Sequence, residues 1–231
     1  MFDRYTVGFS PETIEKVLGK NVEEPFEPTY NAAPTQKLPV VTNTSPEAVQ
    51  LYYWGLSSKL SNNKSISKRL FNLASDAALG RPMYRKILGT NRCWILTDGL
   101  YVWKQVSKKI QTPYYFHRPN KEPMIIAGVY EEFEEFDGSV SNSFNMITVP
   151  TKAPLIGYSE DAPALLDEKQ AESWLDPALE FEELESILNN INLKELTFYS
   201  VSPMINNLNL TGASLIEPSQ PSDQHGNYTL F

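Results

Sequence analysis

The chain has one cysteine and two histidines in 231 residues. Cys93 has no second cysteine to pair with, so no internal disulfide can form and nothing marks an oxidising compartment. Placed between Arg92 and Trp94 at the start of an apolar run, it reads either as a small buried side chain or as a reactive thiol. His117 and His225 stand far from each other and from Cys93, which leaves no zinc-ligand spacing; neither a metal nor a cofactor is expected. No apolar run approaches the roughly 18 residues that a membrane helix needs, and the N-terminal stretch lacks a basic start followed by an apolar segment. The expectation is a soluble, cytoplasmic protein without membrane contact. Internal repeats, a P-loop and a dinucleotide fingerprint are also missing.

What is present is enough apolar side chain, 41% with 12% aromatic, to bury one sizeable core. A single domain is expected over residues 1–218, with a loose Pro-, Ser- and Gln-rich tail over 219–231. Ser10-Pro11-Glu12 opens a short helix that Gly19 ends. Proline crowding argues against regular structure from Pro25 to Pro34. Strands are expected at Leu38–Thr42, Val49–Trp54, Trp94–Thr97, Leu100–Lys104, Tyr114–His117, Met124–Glu132 and Ser143–Val149, mostly antiparallel because their connections are short. Asp167 to Gln170 reads as a capping box, and Asp176-Pro177 as the cap of a second helix carrying Leu184, Ile187 and Leu188. Phe198–Ser202 and Leu215-Ile216 read as closing strands.

The formal charge is −8. It is unevenly spread: Ser57 to Lys109 carries eleven Lys and Arg against Asp76 and Asp98, a segment of +9 in a chain whose remainder is −17. Such asymmetry can give one face a positive field, or can be scattered over solvated surfaces. The acidic run Glu131 to Asp137 reads as a charged hairpin edge, or as a docking edge for a basic partner.

A series of short motifs follows in order: Arg4-Tyr5-Thr6, Tyr30-Asn31-Ala32-Ala33-Pro34-Thr35-Gln36, Trp54-Gly55-Leu56, Asn91-Arg92-Cys93, then Asp98 to Trp103. Pro113-Tyr114-Tyr115, Ala127 to Tyr130, Ser143-Phe144 with Ile147-Thr148, Trp174-Leu175 and Val201-Ser202 complete it. In order and spacing the chain resembles the SRAP family of SOS response-associated peptidases and abasic-site processing proteins. The resemblance implies an α+β fold, a mostly antiparallel sheet curled into a pseudo-barrel with helices outside and a central cleft. It also implies chemistry: an N-terminal cysteine whose amine and thiolate together close a thiazolidine on the aldehyde of an abasic site in single-stranded DNA.

The chain departs from the family at the positions that do this work. Phe2 stands where the cysteine is expected; it supplies no thiol and is too large for methionine removal, so Met1 is expected to remain. Val102 replaces the catalytic glutamate and Ser159 the histidine, while Asn72 survives as the asparagine that holds the amine. Ala74 and Asp161 replace two phosphate-binding arginines, and Leu60 a second tryptophan. No catalytic residue is therefore expected. The candidates left for contacting DNA are Arg4, Pro34, Trp54, Lys59, Arg69, Asn72, Arg85 and Lys104. Trp54, Tyr101 and Trp103 can equally be core, and Arg4 can equally be a buried clamp. The expectation is a degenerate member of the family that binds single-stranded DNA weakly. Two alternatives stay open: an amine-based Schiff-base lyase acting on abasic sites, and a scaffold turned to another protein or small molecule.

Overall fold

The computed structural model describes residues 2–55, 71–134 and 138–229. Leu56, Lys59, Leu60, Arg69 and Met1 lie outside the described residues, as do residues 135–137 at the end of the acidic run. Two sheets make the fold. The first runs in the order β14 (Thr197–Ser200), β9 (Ile110–His117), β8 (Gly99–Ser107), β1 (Tyr5–Val7), β3 (Thr29–Ala32). In the second, β12 (Asp161–Pro163), β11 (Val140–Pro150), β10 (Met124–Glu134), β7 (Arg92–Thr97), β4 (Lys37–Thr42), β5 (Ser45–Trp54) and β2 (Asn21–Val22) lie side by side. Off that path, β13 (Leu165–Leu166) pairs with β10 and β6 (Asn72–Ala74) with β11.

One core joins the sheets: Tyr5, Leu100 and Phe116 of the first pack with Val40, Ile95, Ile126 and Phe144 of the second. The result is the sheet-dominated α+β pseudo-barrel that the motifs imply. The sheets meet at the tight turn between β7 and β8. There the Asp98 carboxylate accepts from the Thr6 hydroxyl at 2.6 Å and the Gly8 amide at 3.0 Å. Gly99 is required at that turn, because a Cβ there would lie 2.1 Å from the Tyr115 ring.

Five α-helices stand outside the sheets among the described residues. In α1 (Pro11–Leu18) Ser10 caps the first turn and Gly19 ends it at φ 64°. A pair not expected from the sequence, α2 (Ser75–Gly80) and α3 (Pro82–Thr90), follows β6. The Asp167–Gln170 capping box opens α4 (Glu168–Leu175) as expected. The last helix, α5 (Phe181–Asn189), is capped by Glu180 paired with Glu183, not by Asp176. Asp176 is spent on the preceding turn, where its carboxylate accepts from the Ala178 amide at 2.9 Å. None of the helices described is long and apolar enough to cross a membrane.

The structure corrects three further expectations. β3 forms inside the proline-rich stretch because Thr29 to Ala32 all keep their N–H groups and sit at a sheet edge, with the prolines outside the pairing. Leu215-Ile216 belongs to a 3-10 turn, Ala213–Ile216, which buries Leu215 without pairing it. The tail is not loose over residues 219–229: the Ser219 amide donates to Ser200 at 2.9 Å, and Gln224 bridges the Lys109 carbonyl and the Gln111 amide. The buried Asp223 carboxylate anchors this turn by accepting from the His225 and Asn227 amides, both at 2.9 Å. Three pairings are parallel, β11 with β5, β11 with β6 and β2 with β5, each made by segments far apart in the chain.

Arg92 shows how a basic residue can serve the fold alone. It is fully buried and donates to the carbonyls of Trp174 at 2.7 Å, Asp176 at 2.6 Å, Leu88 at 3.0 Å and Gly89 at 2.8 Å. It thereby ties the C-terminal ends of α3 and α4, whose last carbonyls have no helical partner. Arg92→Leu should lower stability by about 3 kcal/mol, since it strands buried acceptors. Arg92→Lys should recover little of that, having one donor group instead of a fork. Urea unfolding of both variants checks this; a loss under about 1 kcal/mol for Arg92→Leu would contradict it.

Candidate functional site

A cavity of about 790 Å³ opens where the start of β1, the middle of β8 and the loop before β12 converge. Phe2, Val102 and Ser159 all line it. The three positions that depart from the family's catalytic set are thus brought together from residues far apart in sequence. Asp3, Arg4, Trp103, Tyr158 and Glu160 line it too.

Position 2 is closed. Phe2 is only 2% exposed and belongs to the main core, as does Val102 at 5%. A phenyl ring in an apolar surround adds about 2 to 3 kcal/mol of burial that a polar side chain would not. Asn72 meets the same segment from a neighbouring pocket of about 150 Å³ that Met83 and Tyr84 also line. Its side-chain amide donates to the Phe2 carbonyl at 2.5 Å, while its own buried oxygen has no hydrogen-bond partner among the described residues. The retained asparagine therefore holds the backbone of residue 2 in place.

Arg4 follows directly. The guanidinium is half-buried, lies 5.9 Å from the centre of the Trp103 ring and makes one hydrogen bond, to the Asp3 carbonyl at 3.1 Å. Among the described residues its buried Nε has no partner and no carboxylate is ion-paired with it. Desolvation pushes its pKa below the usual value, with the charge of Asp3 pulling the other way. Trp103 is itself fixed, its ring N–H donating to the Asn206 side chain at 3.2 Å. Tyr158 packs edge-on against Tyr114, Phe116 and Phe198, and the Lys104 ammonium lies 5.1 Å from its ring centre. The hydroxyl of Thr151, also lining the cavity, is buried and unpartnered.

The other candidates are dispersed. Trp54 is fully buried, its ring N–H given to the Phe71 carbonyl at 2.9 Å and its faces covered by Tyr5 and Phe144. It presents no face on which a base could stack, so the core alternative holds for it. Pro34 sits half-buried in the turn after β3, outside the cavity lining. Arg85 lies on α3 with its guanidinium 3.7 Å from the Phe181 ring and donates to the Leu79 carbonyl, also outside that lining. Ala74, next to Asn72, is exposed on β6. Cys93 is buried, and burial pushes its thiol pKa far up, which makes it a small apolar side chain. Sequence reasoning missed Asp3, Gln105, Gln111, Thr151 and Asn206 as parts of the cavity. Gln105 and Gln111 pair across the β8–β9 hairpin, a register that the Ser107-Lys108-Lys109 turn could have disclosed.

Known proteins resemble this chain in sequence and in fold. The family model described as SOS response associated peptidase (SRAP) matches residues 1–208. The chain belongs to the SRAP family. Among curated relatives, the abasic site processing protein YobE of Bacillus subtilis is 25% identical over 186 residues, covering 80% of this chain and 85% of its own. The abasic site processing protein HMCES of Rattus norvegicus is 27% identical over 220 residues, covering 78% of this chain and 62% of its own. A crystal structure of a Bacteroides thetaiotaomicron protein superposes with a TM-score of 0.79 at 19% identity, over 94% of this chain and 99% of that one, and shows the shared fold.

Phe2→Ala should cost about 3 kcal/mol in unfolding free energy, the usual scale for emptying a buried phenyl site. Asn72→Ala should cost about 1 to 2 kcal/mol by leaving the Phe2 carbonyl unpaired. Because both act on one segment, the double variant should lose less than the sum. A neutral Phe2→Ala would mean that the ring is not part of the core.

Proposed function

We propose that this SRAP-family protein is a binding module that has lost abasic-site crosslinking and retains at most weak, reversible contact with single-stranded DNA in the DNA damage response. The observation that carries the proposal is the sealed side chain at position 2. Thiazolidine formation needs an amine and a thiolate on one residue, and Phe2 offers no sulfur and no exposed side chain. The positions for proton handling are filled by Val102 and Ser159, neither of which titrates near neutral pH. The relatives' name, abasic site processing protein, supports DNA as the ligand chemistry.

Weakness follows from the charges around the cleft. Arg4 lines it and Lys104 stands against Tyr158, but Asp3 and Glu160 line it as well, so the charges of these four described residues sum to zero. Affinity for phosphate chains rests on a surplus of Lys and Arg. Arg92 is spent inside the fold and Arg85 on Phe181.

Incubation of the protein with abasic single-stranded DNA should yield no species that survives heat and denaturant. Binding to undamaged strands should be weak and fade as salt rises. A heat-stable adduct would overturn the proposal, and an adduct seen only after borohydride reduction would favour the amine-based lyase, with Lys104 the first lysine to replace.

A further inference from the structure

The cavity sets a half-buried guanidinium, with no carboxylate ion-paired to it among the described residues, beside an aromatic wall, and that pairing restricts what can occupy it. Buried charges in proteins are ordinarily paired or coordinated. Arg4 is half-buried, with a buried unpartnered Nε and no carboxylate on it among the described residues. A fork of this kind suits the oxygens of a phosphate. Beside it stand the Trp103 ring, clamped by Asn206, and the Tyr158 ring, clamped by three other aromatic rings. Such fixed rings are the surfaces on which a nucleobase stacks. The Gln105 amide nitrogen is spent on the Ser107 and Ile110 carbonyls, so its oxygen and the Gln111 amide across the hairpin are what can meet a base edge.

Two carboxylates limit the length of what enters. Asp3 and Glu160 line the same cavity, so a second or third phosphate leaving the Arg4 position would approach negative charge. At about 790 Å³ the cavity is within the usual range for one small ligand and leaves little room for several nucleotides.

We infer that the cleft is a single-nucleotide site, holding one phosphate on Arg4 and one base against Trp103 and Tyr158. This rests on the reading of the cleft as a place for nucleic-acid chemistry and narrows it from a strand to one nucleotide. The shared chemistry, a nucleotide bearing a terminal phosphate, is found both in free mononucleotides and at the phosphorylated end of a strand.

The test is binding of deoxycytidine monophosphate, an octanucleotide with a 5′-hydroxyl and the same octanucleotide with a 5′-phosphate, followed by calorimetry and by tryptophan fluorescence. The monophosphate should bind at least as tightly as the 5′-hydroxyl octanucleotide. Arg4→Gln and Trp103→Ala should each weaken it by about 10-fold while leaving the unfolding midpoint within a few degrees, and Arg4→Lys should recover part of the loss. Asp3→Asn with Glu160→Gln should raise octanucleotide affinity about 10-fold and monophosphate affinity much less. A 5′-phosphorylated octanucleotide that matches the monophosphate would assign the site to strand ends; one that binds like its 5′-hydroxyl form would assign it to free nucleotides. Octanucleotide binding 10-fold or more above the monophosphate would overturn the single-nucleotide site and leave the strand reading standing. Absence of binding by all three would overturn both, and monophosphate binding unmoved by Arg4→Gln and Trp103→Ala would show that the nucleotide sits elsewhere.

Discussion

The phenyl ring of Phe2, shut into the core with its carbonyl held by Asn72, is the constraint on which the cleft depends. It sets where β1 begins. Tyr5 then pairs with Ala32 on one side and Leu100 on the other, so the position of residue 2 is coupled to both neighbours in the first sheet. Val102 fits the same logic, since a carboxylate at a position 5% exposed beside a phenyl ring would lose its hydration without gaining a partner. The changes at positions 2 and 102 therefore suit one another: once the thiol is replaced by a ring, an apolar neighbour is the stabilising choice. In this chain positions 2 and 102 pack into the core, while the cavity in front of them remains open.

Charge tells a second story. A surplus of nine positive charges between Ser57 and Lys109 is a statement about sequence, and three of its described side chains serve separate parts of the fold. Arg92 satisfies four carbonyls inside the protein, Arg85 lies on an aromatic ring of α5, and Lys104 lies on one at the cleft. Each long cation is used for its donors, its stem or its quadrupole partner as much as for its net charge. Arg4 differs because its fork faces a cavity instead of a carbonyl cluster, which is why ligand chemistry converges on it.

How much of this was legible in the sequence differs by element. The seven strands expected between Leu38 and Val149 all exist, because alternation and short polar turns are local signals that survive folding. So do α1 and α4, whose caps are written in Ser10, Gly19 and the Asp167–Gln170 box. The pairing of β5 with β11 and the burial of Trp54 were not legible, since they arise from contacts between segments about ninety residues apart. The convergence of Phe2, Val102 and Ser159 was legible only through motif order, and the structure supplies the cavity that unites them. Asp3, Thr151 and Asn206 carry no motif, so only the folded chain could place them there.

The most direct test restores the lost groups together. Phe2→Cys with Val102→Glu and Ser159→His returns the aminothiol and both proton-handling side chains, once the preceding methionine is removed, and each general acid or base is worth roughly 10²-fold where geometry is kept. Denaturing electrophoresis after incubation with abasic single-stranded DNA should then show a heat-stable adduct in the triple variant, slower to form in Phe2→Cys alone and absent in the parent chain. A folded, correctly processed triple variant that binds the strand yet forms no adduct would contradict the account, because the chemistry would then have been lost for a reason other than these three positions.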